Sequence, residues 1–128
     1  MKNINIDRNY STSETFTGKY WIDGKKIYRK VVIGNTGTLT YPGTESLILD
    51  NSLNNKTTWL IGFNAIMSYN IPINYYYAAN GSVLQGFWID FTSNGLRLIY
   101  SLANSTYAAS FSNRDIRVIL EYIKPSEE

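Results

Sequence analysis

The sequence predicts an all-β domain, an antiparallel β-sandwich of the jelly-roll type. The chain has 128 residues, which suits one domain able to bury about two-thirds of its unfolded surface. No segment carries a sustained stripe of apolar residues at helical spacing. Short aromatic and β-branched runs recur instead, with turn residues between them. This pattern is typical of short antiparallel strands in a sandwich.

The first two strands are predicted at residues 17–22 and 26–33. Asp23-Gly24 stands between them, and this dipeptide favours a two-residue hairpin turn in which both residues adopt positive φ. Such a turn would pair Trp21 with Lys26. Lysines then alternate with aromatic rings on one face, where lysine stems can cover the rings while the ammonium groups reach water.

Six further strands are predicted from aromatic and β-branched content, and most are separated by turn dipeptides. Asn94-Gly95 favours a second hairpin, between the fourth and fifth of these strands. Residues 50–59 could hold a helical turn but lack an apolar stripe. The six predicted strands cover residues 45–49, 58–66, 73–78, 86–91, 96–102 and 116–123.

Alternation along two strands indicates which side chains meet the core. In GFWIDF, Phe87, Ile89 and Phe91 are expected to point inward. On the last strand the opposite face holds Ile119 and Ile123 among charged residues, so these two need cover, which a neighbouring subunit could supply. The apolar face of the last strand is expected in the core and consists of Ile116, Val118, Leu120 and Tyr122.

The first sixteen residues are polar and poor in core side chains. We interpret residues 1–16 as an arm or linker and residues 17–128 as a single β-sandwich domain. No apolar run approaches the roughly 18 residues that a membrane span requires. The N-terminus also lacks the apolar segment of a signal peptide. The sequence therefore predicts neither membrane insertion nor a cleaved leader.

Composition narrows the possible chemistry. The chain has neither cysteine nor histidine, which excludes thiol chemistry and removes the commonest general base. Charged residues make up only 17% of the chain, and eleven of its nineteen aromatic residues are tyrosines. A surface poor in charge and rich in tyrosine suits subunit packing or neutral ligands such as sugars. In residues 36–113 the charged residues are Glu45, Asp50, Lys56, Asp90 and Arg97.

The basic hairpin has two possible interpretations. Lysine beside aromatic rings is a chemistry that proteins also use to bind single-stranded nucleic acids. However, the net charge is only +2, and the rest of the chain offers no extended basic stripe. A structural hairpin is the favoured interpretation, and no nucleic-acid partner is expected.

Two stretches of the charge-poor middle contain candidate ligand-binding residues. Tyr75 and Tyr77 are expected to point to one side of a strand and Tyr76 to the other. These rings either cover the core or contact a sugar or protein. Trp88 and Asp90 share the outward face of the next strand. The ring could stack on a sugar while the carboxylate accepts hydroxyl protons, or the pair could form an interface.

Catalysis and metal binding are not expected. Glycoside cleavage needs two carboxylates, and no spacing pairs Glu45, Asp50 and Asp90. Asp50, Asn51 and Asp90 lack the spacing of a calcium loop. No glycine-lysine phosphate loop is present. The sequence thus predicts no catalytic residue, no metal and no cofactor.

Two motifs resemble a module of tailed bacteriophages and prophages. The opening resembles the pattern YST.E...G.WIDGK.IYRK, with two residues instead of one between Gly18 and Trp21, and the end of the chain follows EY.K. Lys26 is a mild departure from the family pattern, because many members of the family have proline at this position. Modules of this family occur in tail-fibre, baseplate and head-fibre proteins. The two matching stretches cover roughly a third of the chain. The matching positions are Tyr10, Ser11, Thr12, Glu14, Gly18, Trp21 to Lys25, Ile27 to Lys30, Glu121, Tyr122 and Lys124.

The resemblance implies a virion structural protein that is made in the host cytoplasm. It also implies that the chain forms a homotrimer and that its partners are other virion proteins. It further implies a fibre-tip role, in which the variable middle faces a host-surface glycan and the opening hairpin lies where a shaft would meet the sandwich. A stand-alone carbohydrate-binding module and a glycan depolymerase are the alternatives. Any binding surface is expected in the charge-poor middle.

Overall fold

A computed structural model describes residues 10–68, 71–73, 75–79 and 83–127. Within these residues the chain forms nine strands and one short helix. The elements are β1 (Thr15–Tyr20), β2 (Lys26–Asn35), β3 (Gly43–Asp50), β4 (Trp59–Met67), β5 (Ile71–Pro72), β6 (Tyr75–Ala79), β7 (Val83–Thr92), β8 (Gly95–Leu102), α1 (Ser105–Phe111) and β9 (Asp115–Ile123).

The strands form two sheets in which every pairing is antiparallel. The five-stranded sheet has the order β1-β2-β9-β4-β5, and the four-stranded sheet has the order β3-β8-β7-β6. Early strands pair with late ones, β2 with β9 and β3 with β8, whereas β6, β7 and β8 form a simple meander. The predicted all-β fold of antiparallel sheets is confirmed.

The core lies between the two sheets and follows the predicted alternation. The four inward residues of β9, from Ile116 to Tyr122, are at most 1% exposed. Phe87 is equally buried, while Ile89 and Phe91 are half-buried and pack against the same core. Burying an aliphatic or phenylalanine side chain of this kind contributes about 1.5–3 kcal/mol. The alternation in β7 and β9 therefore supplies much of the force that joins the sheets.

Helix α1 is absent from the sequence prediction. Asn104 caps it, because the Asn104 side-chain oxygen accepts a hydrogen bond from the Tyr107 backbone N–H at 3.2 Å. Ala108 is buried, and the Phe111 ring meets Phe87 edge to face at 4.9 Å between centroids. A helix of seven residues is too short to show a stripe. The capping asparagine was the signal that could have revealed it.

The first hairpin exists, but its predicted two-residue turn is wrong. The loop contains three residues, because the Trp21 N–H donates to the Lys25 carbonyl at 2.8 Å. Only Gly24 adopts positive φ, at 86°, whereas Asp23 does not. Asp23 instead accepts a hydrogen bond from the Lys25 N–H through its side chain, which favours a turn of the common type followed by a glycine bulge.

The longer loop changes the register of the hairpin. Tyr20, not Trp21, lies opposite Lys26, and β1 starts and ends two residues earlier than predicted. The Lys26 ammonium lies 5.4 Å from the centroid of the Phe16 ring, so lysine does cover an aromatic ring, although not with the predicted partner. Ile22 is left at the tip of the loop, almost fully exposed.

The residues just before β1 lie against the five-stranded sheet. The Ser11 carbonyl accepts a hydrogen bond from the Val31 N–H at 2.8 Å. Glu14 accepts hydrogen bonds from the Tyr122 hydroxyl and the Lys124 ammonium, each at 2.6 Å. Burial alone would raise the pKa of Glu14, but these two hydrogen bonds outweigh it and hold the pKa below its usual range. This part of the predicted arm therefore contacts the sandwich.

The residues after β9 also contact the sandwich through a glutamate, Glu127. The Tyr28 hydroxyl donates to the Glu127 carboxylate at 2.6 Å, which raises the pKa of Tyr28 to about 12. The Lys25 ammonium donates to the Glu127 backbone carbonyl at 2.7 Å. We refer to the set Glu14, Lys25, Tyr28, Tyr122, Lys124 and Glu127 as the terminal clasp.

Substituting Gly95 with alanine is expected to destabilise the fold by about 2–4 kcal/mol. Gly95 has φ of 122°, and a methyl group on it would collide with the backbone carbonyl oxygen of Asp50. Urea denaturation measures the loss. Gly62→Ala is the matched control, because its φ is not positive and its methyl group would meet open space. Equal stability of the two variants would contradict the prediction.

Glu14→Gln is expected to lower the free energy of unfolding at pH 7 by about 1 kcal/mol, since the carboxylate is only partly buried. Because the folded pKa of Glu14 is lowered, its contribution is complete above the unfolded pKa near 4.5 and disappears as the pH falls through the folded value. Urea denaturation from pH 7 to 3 should show the two proteins converging. Glu45→Gln, which changes an exposed carboxylate, should show no such convergence.

Candidate functional site

The outward face of the four-stranded sheet holds the predicted residues Trp88 and Asp90. Three strands build this face, and the register aligns their side chains in two cross-strand rows. One row pairs Ser46 and Trp88 with Ile99 between them; the other places Arg97 between Ile48 and Asp90. We call this surface the tryptophan face. It consists of Ser46, Ile48, Trp88, Asp90, Arg97 and Ile99.

The tryptophan face combines an apolar ring with a neutralised ion pair. Trp88 is 36% exposed and lies on β7, a central strand of the sheet, where Ile99 of β8 is its cross-strand neighbour. Arg97 and Asp90 form a close salt bridge through one guanidinium nitrogen. The sequence did not predict this partner of Asp90. Asp90 presents its remaining lone pairs beside a guanidinium group, and together the two supply acceptors and donors without net charge.

The three tyrosines lie on the edge strand next to this face. The backbone register places Tyr75 opposite Phe87, Tyr76 opposite Gly86 and Tyr77 opposite Gln85. The side chains of Tyr75, Tyr76 and Tyr77 are outside the described part of the structure. Their predicted directions, and their predicted role in ligand contact, therefore stay predictions.

A cleft at one end of the sandwich was not predicted. It lies between the first hairpin loop, the start of β4 and the end of β9, and its volume is about 550 Å³. We call it the two-tryptophan cleft. Its lining consists of Trp21, Asn55, Thr58, Trp59, Leu60, Ile61, Phe91 and Ile123.

Aromatic exposure is the main feature of this cleft. The Trp59 side chain is 58% exposed and that of Trp21 38% exposed, whereas Ile123 is fully buried below them. Ile123 was predicted to need cover, and here it forms part of the floor. The cleft is not predicted by the sequence, because a two-residue turn would place Trp21 in a strand pair with Lys26. The actual three-residue loop places Trp21 at the cleft instead.

Asp50, another carboxylate of the charge-poor middle, is held by neighbouring groups. Asp50 pairs with the Lys30 ammonium at 3.1 Å and accepts two hydrogen bonds from Ser52. Burial would raise the pKa of Asp50, but the Ser52 bonds and Lys30 outweigh it, so the pKa is lowered. Within the described ranges no group of three or more acidic residues is placed to hold a metal ion.

Among the residues that the structure describes, no helix combines the length and the apolar character needed to cross a bilayer.

Comparison with known proteins adds no family. No family model, curated protein or solved structure matches the chain. The bacteriophage resemblance therefore rests on the opening and closing motif residues alone.

Proposed function

We propose that the protein is a non-enzymatic domain of a bacteriophage fibre or related appendage that binds a host-surface glycan through the tryptophan face. The observation that carries this proposal is Trp88, a large ring left exposed on a central strand beside a neutralised Asp90–Arg97 pair. The motifs that resemble phage fibre modules supply the biological setting.

The chemistry of the tryptophan face suits a neutral sugar. An indole ring offers an apolar plate on which the C–H face of a pyranose can stack. Asp90 and Arg97 can accept from and donate to hydroxyl groups, and Ser46 adds an exposed hydroxyl on the neighbouring row. Because the Asp90–Arg97 pair has no net charge, it does not favour a charged ligand over a neutral one. The strands hold these groups more rigidly than a loop would.

The states of the carboxylates support a role without catalysis. Cleavage of a glycosidic bond needs a carboxylic acid whose pKa is raised and a second carboxylate placed opposite it. Asp50 has a lowered pKa and is committed to Lys30. Asp90 is committed to Arg97. These two residues are therefore poorly suited to act as the acid of a depolymerase.

The proposed assembly is a homotrimer, and the outward face of the five-stranded sheet is the surface that suits a subunit contact. There Ile33 and Ile66 flank Arg117 in one cross-strand row. Ile33 is 60% exposed and Ile66 43% exposed, which is unusual for neighbouring isoleucines. A second copy of the chain would cover both.

Trp88→Ala is expected to weaken binding to the recognised neutral glycan by at least about tenfold, because stacking on the indole is lost. A neutral-glycan array measures it with the purified protein. Ile22→Ala is the matched control, since it removes an exposed apolar side chain at the hairpin tip. Binding that survives in Trp88→Ala would contradict the proposed site, and release of reducing ends from host polysaccharide would contradict the proposed class.

Ile33→Lys is expected to convert a trimer to a monomer in light scattering, because it places a charge within the proposed subunit contact. Ile22→Lys, which charges the hairpin tip instead, should leave the mass at three times that of the chain. A wild-type protein that stays monomeric at micromolar concentration would rule out the trimer.

A further inference from the structure

We infer that the two-tryptophan cleft is a second binding site, and that its ligand is a neutral sugar ring. This inference rests on the proposed function for the class of ligand, but it concerns a separate surface. The cleft is built around two exposed indoles, at Trp21 and Trp59. Large aromatic rings that share one concave surface and stay exposed mark a place where a ligand binds.

The charge of the lining selects a neutral ligand. None of the eight lining residues is charged. Two nearby lysines, Lys25 after the hairpin loop and Lys124 after the last strand, are occupied by the terminal clasp, because Lys25 donates to Glu127 and Lys124 to Glu14. An anionic sugar would find no free ammonium group among these clasp residues. A cationic ligand would find no carboxylate in the lining.

The lining also provides hydrogen-bonding groups at the rim and wall. The Asn55 backbone N–H donates to the Thr92 carbonyl at 3.0 Å, which fixes the loop while the exposed side-chain amide borders the cleft. Each indole adds an N–H donor, whereas Thr58 in the wall is only 3% exposed. Indole rings combined with an exposed amide match a ligand that is apolar on its faces and hydroxylated at its edges.

The floor and size of the cleft agree with this assignment. Ile123 and Phe91 belong to different sheets and close the bottom, so the cleft lies across the end of the sandwich. The volume of about 550 Å³ falls within the about 300–1,000 Å³ of small-molecule sites. A sugar ring would thus stack against an indole while its hydroxyls reach the exposed Asn55 side chain.

Tryptophan fluorescence can separate this site from the tryptophan face, because Trp21, Trp59 and Trp88 are the three tryptophans of the chain. Trp88→Phe leaves only the two cleft indoles as reporters. The double variant Trp21→Phe/Trp59→Phe leaves only Trp88. Each protein is titrated with maltotetraose, cellotetraose and chitotetraose as neutral probes, and with polygalacturonate as an anionic probe. Thermal unfolding checks that each variant is folded.

The expected result is a saturable change of emission in Trp88→Phe with at least one neutral oligosaccharide and none with polygalacturonate. Adding Asn55→Ala to Trp88→Phe should weaken this binding by about tenfold, since one hydrogen-bonding partner is lost. Adding Tyr41→Ala, which removes an exposed ring outside the cleft, should leave the affinity unchanged. The Trp88→Phe titration does not depend on whether the double variant folds.

Two results would overturn the inference in distinguishable ways. A response confined to the variant that keeps Trp88 would eliminate the cleft as a sugar site and leave the proposed function intact. A response in neither variant, with host glycan binding also absent on the array, would overturn both. A cleft response to a proline-rich peptide, without any to the oligosaccharides, would reassign the cleft to a protein partner and overturn the sugar assignment.

Discussion

The structure depends on the insertion of β9 between β2 and β4. This last strand pairs along its length with both neighbours, and its inward face supplies four fully buried side chains from Ile116 to Tyr122. Without β9, the five-stranded sheet would separate into two pieces, each with an unpaired edge. Loop closure over most of the chain must therefore be achieved before the core gains its burial energy. Local hairpins alone cannot hold this fold.

The same arrangement positions both candidate sites. The end of β9 brings Ile123 beside Trp59, so the two-tryptophan cleft exists only when β9 is in place. Most of the tryptophan face instead belongs to the β7–β8 hairpin, whose strands pair from Gly86 opposite Ser101 to Thr92 opposite Gly95. The cleft thus depends on contacts distant in sequence, whereas Trp88, Asp90 and Arg97 of the tryptophan face lie on one local hairpin. The two sites would respond differently to partial unfolding at the chain end.

Sequence patterns predicted which side chains of a strand face the core, but they did not predict the register of the hairpins, which depends on turn geometry. The inward residues of β7 and β9 could be predicted because period-two alternation is a property of single strands. The salt-bridge partner of Asp90 could not be predicted in this way. A turn centred on Asn94-Gly95 would set Asp90 opposite Ile99, whereas the actual turn residues are Ser93 and Asn94, and Asp90 meets Arg97. A shift of one loop residue likewise separated Trp21 from Lys26 and hid the cleft.

The terminal clasp determines how the domain can be joined to other proteins. Glu14 contacts Lys124 directly, so the segment just before β1 and the segment just after β9 lie side by side. A domain with adjacent ends can be inserted into a loop of a host protein, or added to one end of it, without rearranging a single strand. In either case the hydrogen bonds from Lys124 to Glu14 and from Tyr28 to Glu127 would be kept, because all four residues lie within the joined segment.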